Sequence, residues 1–160
     1  MLSKLYSNLT KTKHSQSGFT VIELVLVLVI IGILLAIIFT AYTSVHTNQN
    51  NQARENSIDK IYKNLEAYYV DNSQYPTLSD MNSATWLTKN MPNLNPATLK
   101  DPAGKTETLV AIPKANFYAY EVTAADGGVC DNVARICQHY TLVASLIKNS
   151  SKTYIKSSLN

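Results

Sequence analysis

Between residues 19 and 42 every position is apolar except Thr20, Glu23, Gly32 and Thr40, and no proline interrupts the run. A helix of that length, at about 1.5 Å per residue, reaches roughly 36 Å, more than the hydrocarbon core of about 30 Å. The stretch therefore predicts a membrane-crossing helix. At residue 43 the pattern turns abruptly polar, reading TSVHTNQNNQAREN. Ile58, Ile61, Tyr62, Leu65 and Tyr69 then recur at steps of three and four, which lays them on one helical face. Asp59 and Lys63, four apart on another face, are expected to support the helix as an ion pair. No proline occurs from Phe19 until Pro76, so nothing forces a stop. One helix is expected from about residue 19 to about residue 70, half membrane rod and half amphipathic spine, roughly 80 Å in all. The apolar face of the second half is too short for a coiled-coil dimer and must be covered by the rest of the chain.

Beyond the helix the pattern breaks up. Asp71, Asn72 and Ser73 favour a turn, and Pro76 biases Tyr75 away from helix. Residues 83–90, around Trp86 and Leu87, suggest a short helix with Trp86 as a buried packing anchor, followed by a Pro/Asn-rich loop at 91–96. Asp101, Pro102, Ala103 and Gly104 read as a turn. Strand candidates follow at 108–112 and 116–122, separated by Pro113. The clearest is 139–147, where Tyr140, Leu142, Ala144 and Leu146 alternate with His139, Thr141, Val143 and Ser145. Asn149, Ser150 and Ser151 form a turn, and 152–156 returns as an edge strand. The fold class is α+β, a long N-terminal helix packed on a small antiparallel sheet. The expected organisation is a leader at 1–18, a transmembrane half-helix at 19–42 and a polar domain at 43–160. Within that domain an amphipathic helix covers 43–70, a loop 71–107 and the sheet 108–160.

Charge adds an orientation. The net charge of +3 sits in the leader, where Lys4, Lys11 and Lys13 face no acidic residue. The remainder is nearly balanced, so nucleic acid is not indicated as the main partner, although a small local patch is not ruled out by composition. Lysines just before an apolar span mark the cytoplasmic flank, which predicts a single-pass chain running N-in and C-out. Cys130 and Cys137 then lie outside the cytoplasm, where disulfides persist. One bridge between them is expected, worth about 2.5 kcal/mol on the chain-entropy account. Two free thiols are the alternative.

The apolar run is too long for a cleaved secretory signal, and its end at Ile38, Phe39, Thr40, Ala41 and Tyr42 lacks an A-x-A-like site. A plain anchor does not call for Glu23, since a carboxylate in a membrane helix costs about 2.5–3.5 kcal/mol on insertion scales. A glutamate that snorkels to the interface is the bland explanation. The order Ser17, Gly18, Phe19, Thr20, Val21, Ile22, Glu23, Leu24 behind a lysine-rich leader resembles the processing site of type IV pilins and pseudopilins. The resemblance implies cleavage between Gly18 and Phe19 by a prepilin peptidase, which also methylates the new amino terminus at Phe19. It implies that Glu23 engages the N-terminal amine of Phe19 on a neighbouring copy. The segment around Tyr75, Pro76 and Thr77, the turn at Asp101 and the closing strands also look like bacterial pilins. Thr40 departs from the family pattern, where many members carry proline, so the helix has less reason to unwind there.

The residues support that chemistry independently. Removing the lysines frees a positive amine beside a lone carboxylate, and in a low-dielectric environment either charge left unpaired is costly. Enzyme chemistry finds no foothold. There is no phosphate-binding glycine loop, and His14, His46 and His139 show no ligand spacing with one another or with the cysteines. No cofactor is expected. Asp126 and Asp131, beside Gly127 and Gly128, are weak candidates for a calcium ion, which some pseudopilins bind in this region, but they lack EF-hand spacing. The segment 124–139 reads as a stapled loop, serving either recognition or packing alone. The expected role is a structural subunit of a type IV pilus or related filament, partnered by the prepilin peptidase, copies of itself and minor pilins. A pseudopilin of a type II secretion or competence system is the alternative within the fold, and a membrane-anchored extracytoplasmic binding domain the alternative outside it.

Overall fold

A computed structural model describes residues 18–146 and 152–159. The leader, including Lys4, Lys11, Lys13, His14 and Ser17, lies outside the described residues, as does the expected turn at Asn149, Ser150 and Ser151. Helix α1 spans Val21–Asn72 without a break. The chain divides into two units, Met1–Ala41 and Tyr42–Asn160. In the first, Gly32 sits within the helix, where an added Cβ would meet nothing within 4 Å. Thr40 donates its hydroxyl to the Ile37 carbonyl at 2.9 Å.

In the second unit, burial along α1 follows the expected face. Ile58, Ile61 and Leu65 are fully buried, with Tyr62 and Tyr69 packed against the same cluster. The helix ends where Ser73 takes a left-handed conformation (φ 56°) and its N–H donates to Tyr69 O at 2.7 Å. That geometry satisfies a carbonyl which would otherwise be orphaned at the terminus. Two short helices follow, α2 (Leu78–Met81) and α3 (Ala84–Asn90). Thr77 and Asp80 form a capping box on α2, and the Ser83 hydroxyl caps α3. A 3₁₀ turn at Pro96–Leu99 is capped by Asn95. The segment 71–107 thus holds two capped short helices and a capped 3₁₀ turn within its loop, and Met81, Leu87, Met91, Leu94 and Leu99 insert from it into the core.

The sheet has three antiparallel strands, β1 (Tyr118–Thr123), β2 (His139–Ser145) and β3 (Thr153–Ser157), in the order β1-β2-β3. Tyr118 opposes Ala144, and Tyr120 opposes Leu142. These four side chains are buried in the same cluster as Ile58, Ile61 and Leu65 of α1. The helix face and the sheet face cover one another, which is the packing the alternation predicts.

Four expectations need correction. Residues 108–112 are not a strand, since only Val110 bridges to Ala119. Their neighbour Leu109 is claimed by Asn82, whose Oδ1 accepts from the Leu109 N–H (2.7 Å) and whose Nδ2 donates to its carbonyl (3.0 Å). With those groups occupied, and Pro113 close behind, a ladder cannot propagate. The sheet accordingly begins at Tyr118 rather than at 108, and Asn116 turns at φ 62° instead of joining β1. Trp86 is half-buried, leaning on Tyr68 with ring centroids 5.4 Å apart, while Leu87 occupies the core. Asp59 does not serve Lys63: it accepts from the Tyr154 hydroxyl (2.9 Å) and pairs with Lys156 (3.2 Å), tying α1 to β3.

Candidate assembly site

The N-terminal end of α1 shows how the lone carboxylate is held. Thr20 precedes the helix, and its hydroxyl accepts from the Glu23 N–H at 3.3 Å. The Glu23 carboxylate reaches back to accept from the Thr20 N–H at 3.4 Å. This reciprocal pair is a capping box, satisfying two of the backbone donors that every helix start leaves open. A negative charge here also faces the positive end of the helix dipole. The Thr-x-x-Glu spacing carried this signal in the sequence, but the glutamate's membrane cost drew the reading toward a partner outside its own helix. The carboxylate thereby sits beside the amide that follows Phe19.

Around that end the apolar surface is uncovered. Phe19 is 83% exposed, and the large apolar side chains from Leu24 to Phe39 are between 46% and 70% exposed. Moving one such side chain from water to an apolar environment is worth about 1.5–3 kcal/mol. Helix α1 is long and apolar enough to cross a membrane. A surface of this kind demands lipid or other helices, and the capped carboxylate is its only charge.

The second group of candidates lies in the loop between β1 and β2. Cys130 and Cys137 are joined by a disulfide. Cys137 is fully buried, its carbonyl accepts from Tyr75 N (2.8 Å), and its N–H donates to Asn132 Oδ1 (2.8 Å). Asn132 adopts φ 58° and donates its Nδ2 to Tyr75 O at 2.8 Å. The staple is therefore clasped onto the exit of α1 through both backbone groups of Tyr75.

Asp126 and Asp131 have separate tasks there. Asp131 Oδ1 accepts the N–H groups of Val133, Ala134 and Arg135 at 2.9, 2.8 and 3.1 Å, and these bonds hold its carboxyl below the usual range. Asp126 accepts from Gly128 N–H at 3.0 Å and pairs with Arg135; the Gly128 bond foremost, and the guanidinium, lower its pKa. With a guanidinium already on one carboxylate and three amides on the other, the pair does not fit a calcium ion, which wants six to eight oxygens. Among the described residues no group of three or more metal-binding side chains assembles.

Two polar links inside the domain, one buried and one part-buried, carry no local signal in the sequence. Arg54 and Asp101, exposed only 1% and 2%, form a two-pronged pair at 2.6 and 2.8 Å. Asp101 also accepts from Ala103 N–H at 2.8 Å, and Arg54 donates to Asn51 Oδ1 at 3.1 Å. Glu66 accepts from two phenols, Tyr140 at 2.7 Å and Tyr75 at 3.1 Å. Burial first, and the neighbouring Glu66 second, push the Tyr140 phenol far above its ordinary value.

Residues 13–39 match the family pattern described as the prokaryotic N-terminal methylation motif. The type II secretion system core protein G of Vibrio cholerae is 30% identical over 121 residues, covering 76% of this chain and 80% of that protein. The protein of the same name from Aeromonas hydrophila is 34% identical over 65 residues, 41% of this chain and 46% of that protein. That match spans less than half of the relative's length. Competence protein ComGC of Halalkalibacterium halodurans is 31% identical over 70 residues, 44% of this chain and 69% of that protein. No solved structure matches the chain.

Proposed function

Because this chain belongs to the type IV pilin and pseudopilin family, we propose that it is a structural filament subunit made as a membrane-anchored precursor. In this reading the peptide bond between Gly18 and Phe19 is cut by a prepilin peptidase, which then methylates the Phe19 nitrogen. The precursor runs N-in and C-out, with the globular unit outside the cytoplasm. The freed amine of one copy meets the Glu23 carboxylate of the next, while the uncovered face of α1 exchanges lipid for neighbouring helices. The partners are the peptidase, further copies of the chain, minor pilins and the membrane of the precursor stage.

The observation that carries this reading is the match to the N-terminal methylation motif over residues 13–39, the stretch in which Gly18, Phe19 and Glu23 lie. The relatives favour a type II secretion or competence pseudopilin over a long surface pilus, since the matched proteins carry those names. Mass spectrometry of the mature chain tests the processing: it should begin at Phe19 and carry one methyl group on its nitrogen. A mature chain beginning at Met1 would overturn the proposal. Glu23→Ala should insert into the membrane normally and fail to assemble; normal filaments from that variant would remove the pairing role.

A further inference from the structure

The middle of α1 lacks charge. Residues 24–53 include no Asp, Glu, Lys or Arg. A helix over that stretch is roughly 45 Å long, about 15 Å more than a hydrocarbon core takes up. The surplus is the segment 43–53, where five consecutive amides, residues 48–52, follow the aliphatic run. Its own subunit leaves it bare: Val45 is 55% exposed, and Asn48, Gln49 and Gln52 are exposed too. The Thr47 hydroxyl donates to the Thr43 carbonyl at 2.8 Å, and Asn50 meets the His46 ring at 3.2 Å. The amides of Asn48, Gln49 and Gln52 have no partner among the described residues.

Further along, the same helix does face water, and there it is charged. Glu55, Asp59, Lys60 and Lys63 all reach solvent, while Ile58 and Ile61 between them are buried. A helix polar on all sides is ordinarily held by ion pairs four residues apart, and 43–53 has no charged side chain to form one. Thr, Ser, Val, His and Asn are also weak helix formers. Lipid headgroups suit the segment poorly, because helices that lie among headgroups present Lys and Arg. Neighbouring helices of the same kind suit it well. Every copy carries the same segment, so a charge there would recur on each neighbour with no opposite charge to answer it. An amide holds both donor and acceptor and can answer itself.

We infer that residues 43–53 pack in the filament against the same segment of neighbouring copies, with Asn48, Gln49 and Gln52 hydrogen-bonding across helices. The inference rests on the proposed filament and extends its helix contact beyond the aliphatic run into polar sequence. Continuity selects the occupant. The segment follows that run within one unbroken helix, so copies that pack side by side along the run bring their amide segments alongside one another. The two parts then do different work. Aliphatic side chains adhere without regard to register, whereas a buried amide is satisfied in few alignments, as a single asparagine fixes register between coiled-coil helices.

Lysine substitution tests this in the full chain, with filament yield measured by sedimentation and electron microscopy. Gln49→Lys and Gln52→Lys alter exposed positions, so membrane insertion, processing and formation of the Cys130–Cys137 bridge should stay normal. Each should lower filament yield about tenfold or more, since an unanswered charge would be buried between helices. Asn93→Lys, exposed in the turn after α3, should keep the yield within about twofold. A photo-crosslinking residue at position 49, diluted among unaltered copies, should join subunit to subunit in filaments. Lysine variants at 49 and 52 that assemble as well as the unaltered chain would overturn the contact and leave the filament reading standing. So would an equal loss from Asn93→Lys, or crosslinks in filaments to lipid alone. An unaltered, processed chain that forms no filaments would overturn the filament reading, and this contact with it.

Discussion

Replacing Asp101 with asparagine keeps the shape of the side chain and removes the charge that answers Arg54. Both partners are almost completely excluded from solvent, at 1% and 2% exposure, and the guanidinium is met by two oxygens at 2.6 and 2.8 Å. Asparagine retains one acceptor, so the main loss is electrostatic: a guanidinium buried among apolar neighbours with no counter-charge. Removing one member of a buried pair typically costs about 3–5 kcal/mol. A domain of this size loses about 3–6 °C of melting temperature per kcal/mol, so a fall of roughly 10–25 °C is expected. Urea titration and thermal melting of the full chain in detergent measure it. The informative control is R54M/D101L, which replaces the pair by apolar groups and is expected to regain most of the loss, since desolvating two charges offsets much of their attraction. The recovery should fall short by about 1 kcal/mol, because the Ala103 N–H loses its acceptor. If D101N stays within about 1 kcal/mol of the unaltered chain, Arg54 has access to water and the pair is not desolvated.

Reducing the Cys130–Cys137 bridge should cost about 2–3 kcal/mol, seen as a lower urea midpoint, and should speed amide exchange at Tyr75; unchanged exchange there would break the proposed link between staple and helix exit. In Gly128→Ala the new Cβ would lie 2.6 Å from the Arg135 guanidinium, so the flexible arginine should swing aside and lose Asp126, an exposed pair whose loss should leave the melting temperature nearly unchanged; a large drop in melting temperature would mean the loop depends on that arginine. At high pH, Tyr140 and Tyr120 have raised pKa values through burial, and unfolded tyrosine titrates near about 10. Their contribution is therefore complete below that pH and is lost as pH climbs above it, because only the unfolded chain releases the protons. Phenolate absorbance should show these two rings silent until the chain unfolds, and a normal titration of both in the folded chain would contradict their burial.

What the sequence disclosed and what it hid follow the range of the interactions involved. Helix α1, β2 and the return of β3 rest on periodicity, a property of neighbouring residues, and all three were legible. So was the N-terminal methylation motif, which the family pattern matches at 13–39. The short helices were partly legible: Ser83 announced α3, but the Thr77 and Asp80 box that starts α2 lay hidden beside the stronger signal of Pro76. Other failures were choices of a distant partner. Asp59 had an ideal neighbour in Lys63 and took Lys156 and Tyr154 instead. Residues 108–112 had strand composition, yet Asn82 reached Leu109 from 27 positions away. Arg54 looked like one more polar residue of a solvated stretch until Asp101 was folded against it. Periodicity names the buried face; it cannot name which polar atom will be waiting there.

The partners that complete the domain all lie downstream of its helix. Asp101, Tyr140 and Tyr154 stand 47, 74 and 95 positions beyond Arg54, Glu66 and Asp59, the helix residues they bond. A chain made from its N-terminus therefore presents Ile58, Ile61 and Leu65 bare before β1 and β2 exist to shelter them. Pairings so remote in sequence form slowly, since each must close a long loop before it is rewarded. During that interval a sticky helical stripe has no cover of its own. The newborn subunit is thus most vulnerable before its last third has been synthesised, and any factor that guards it must act on the spine rather than on the finished sheet.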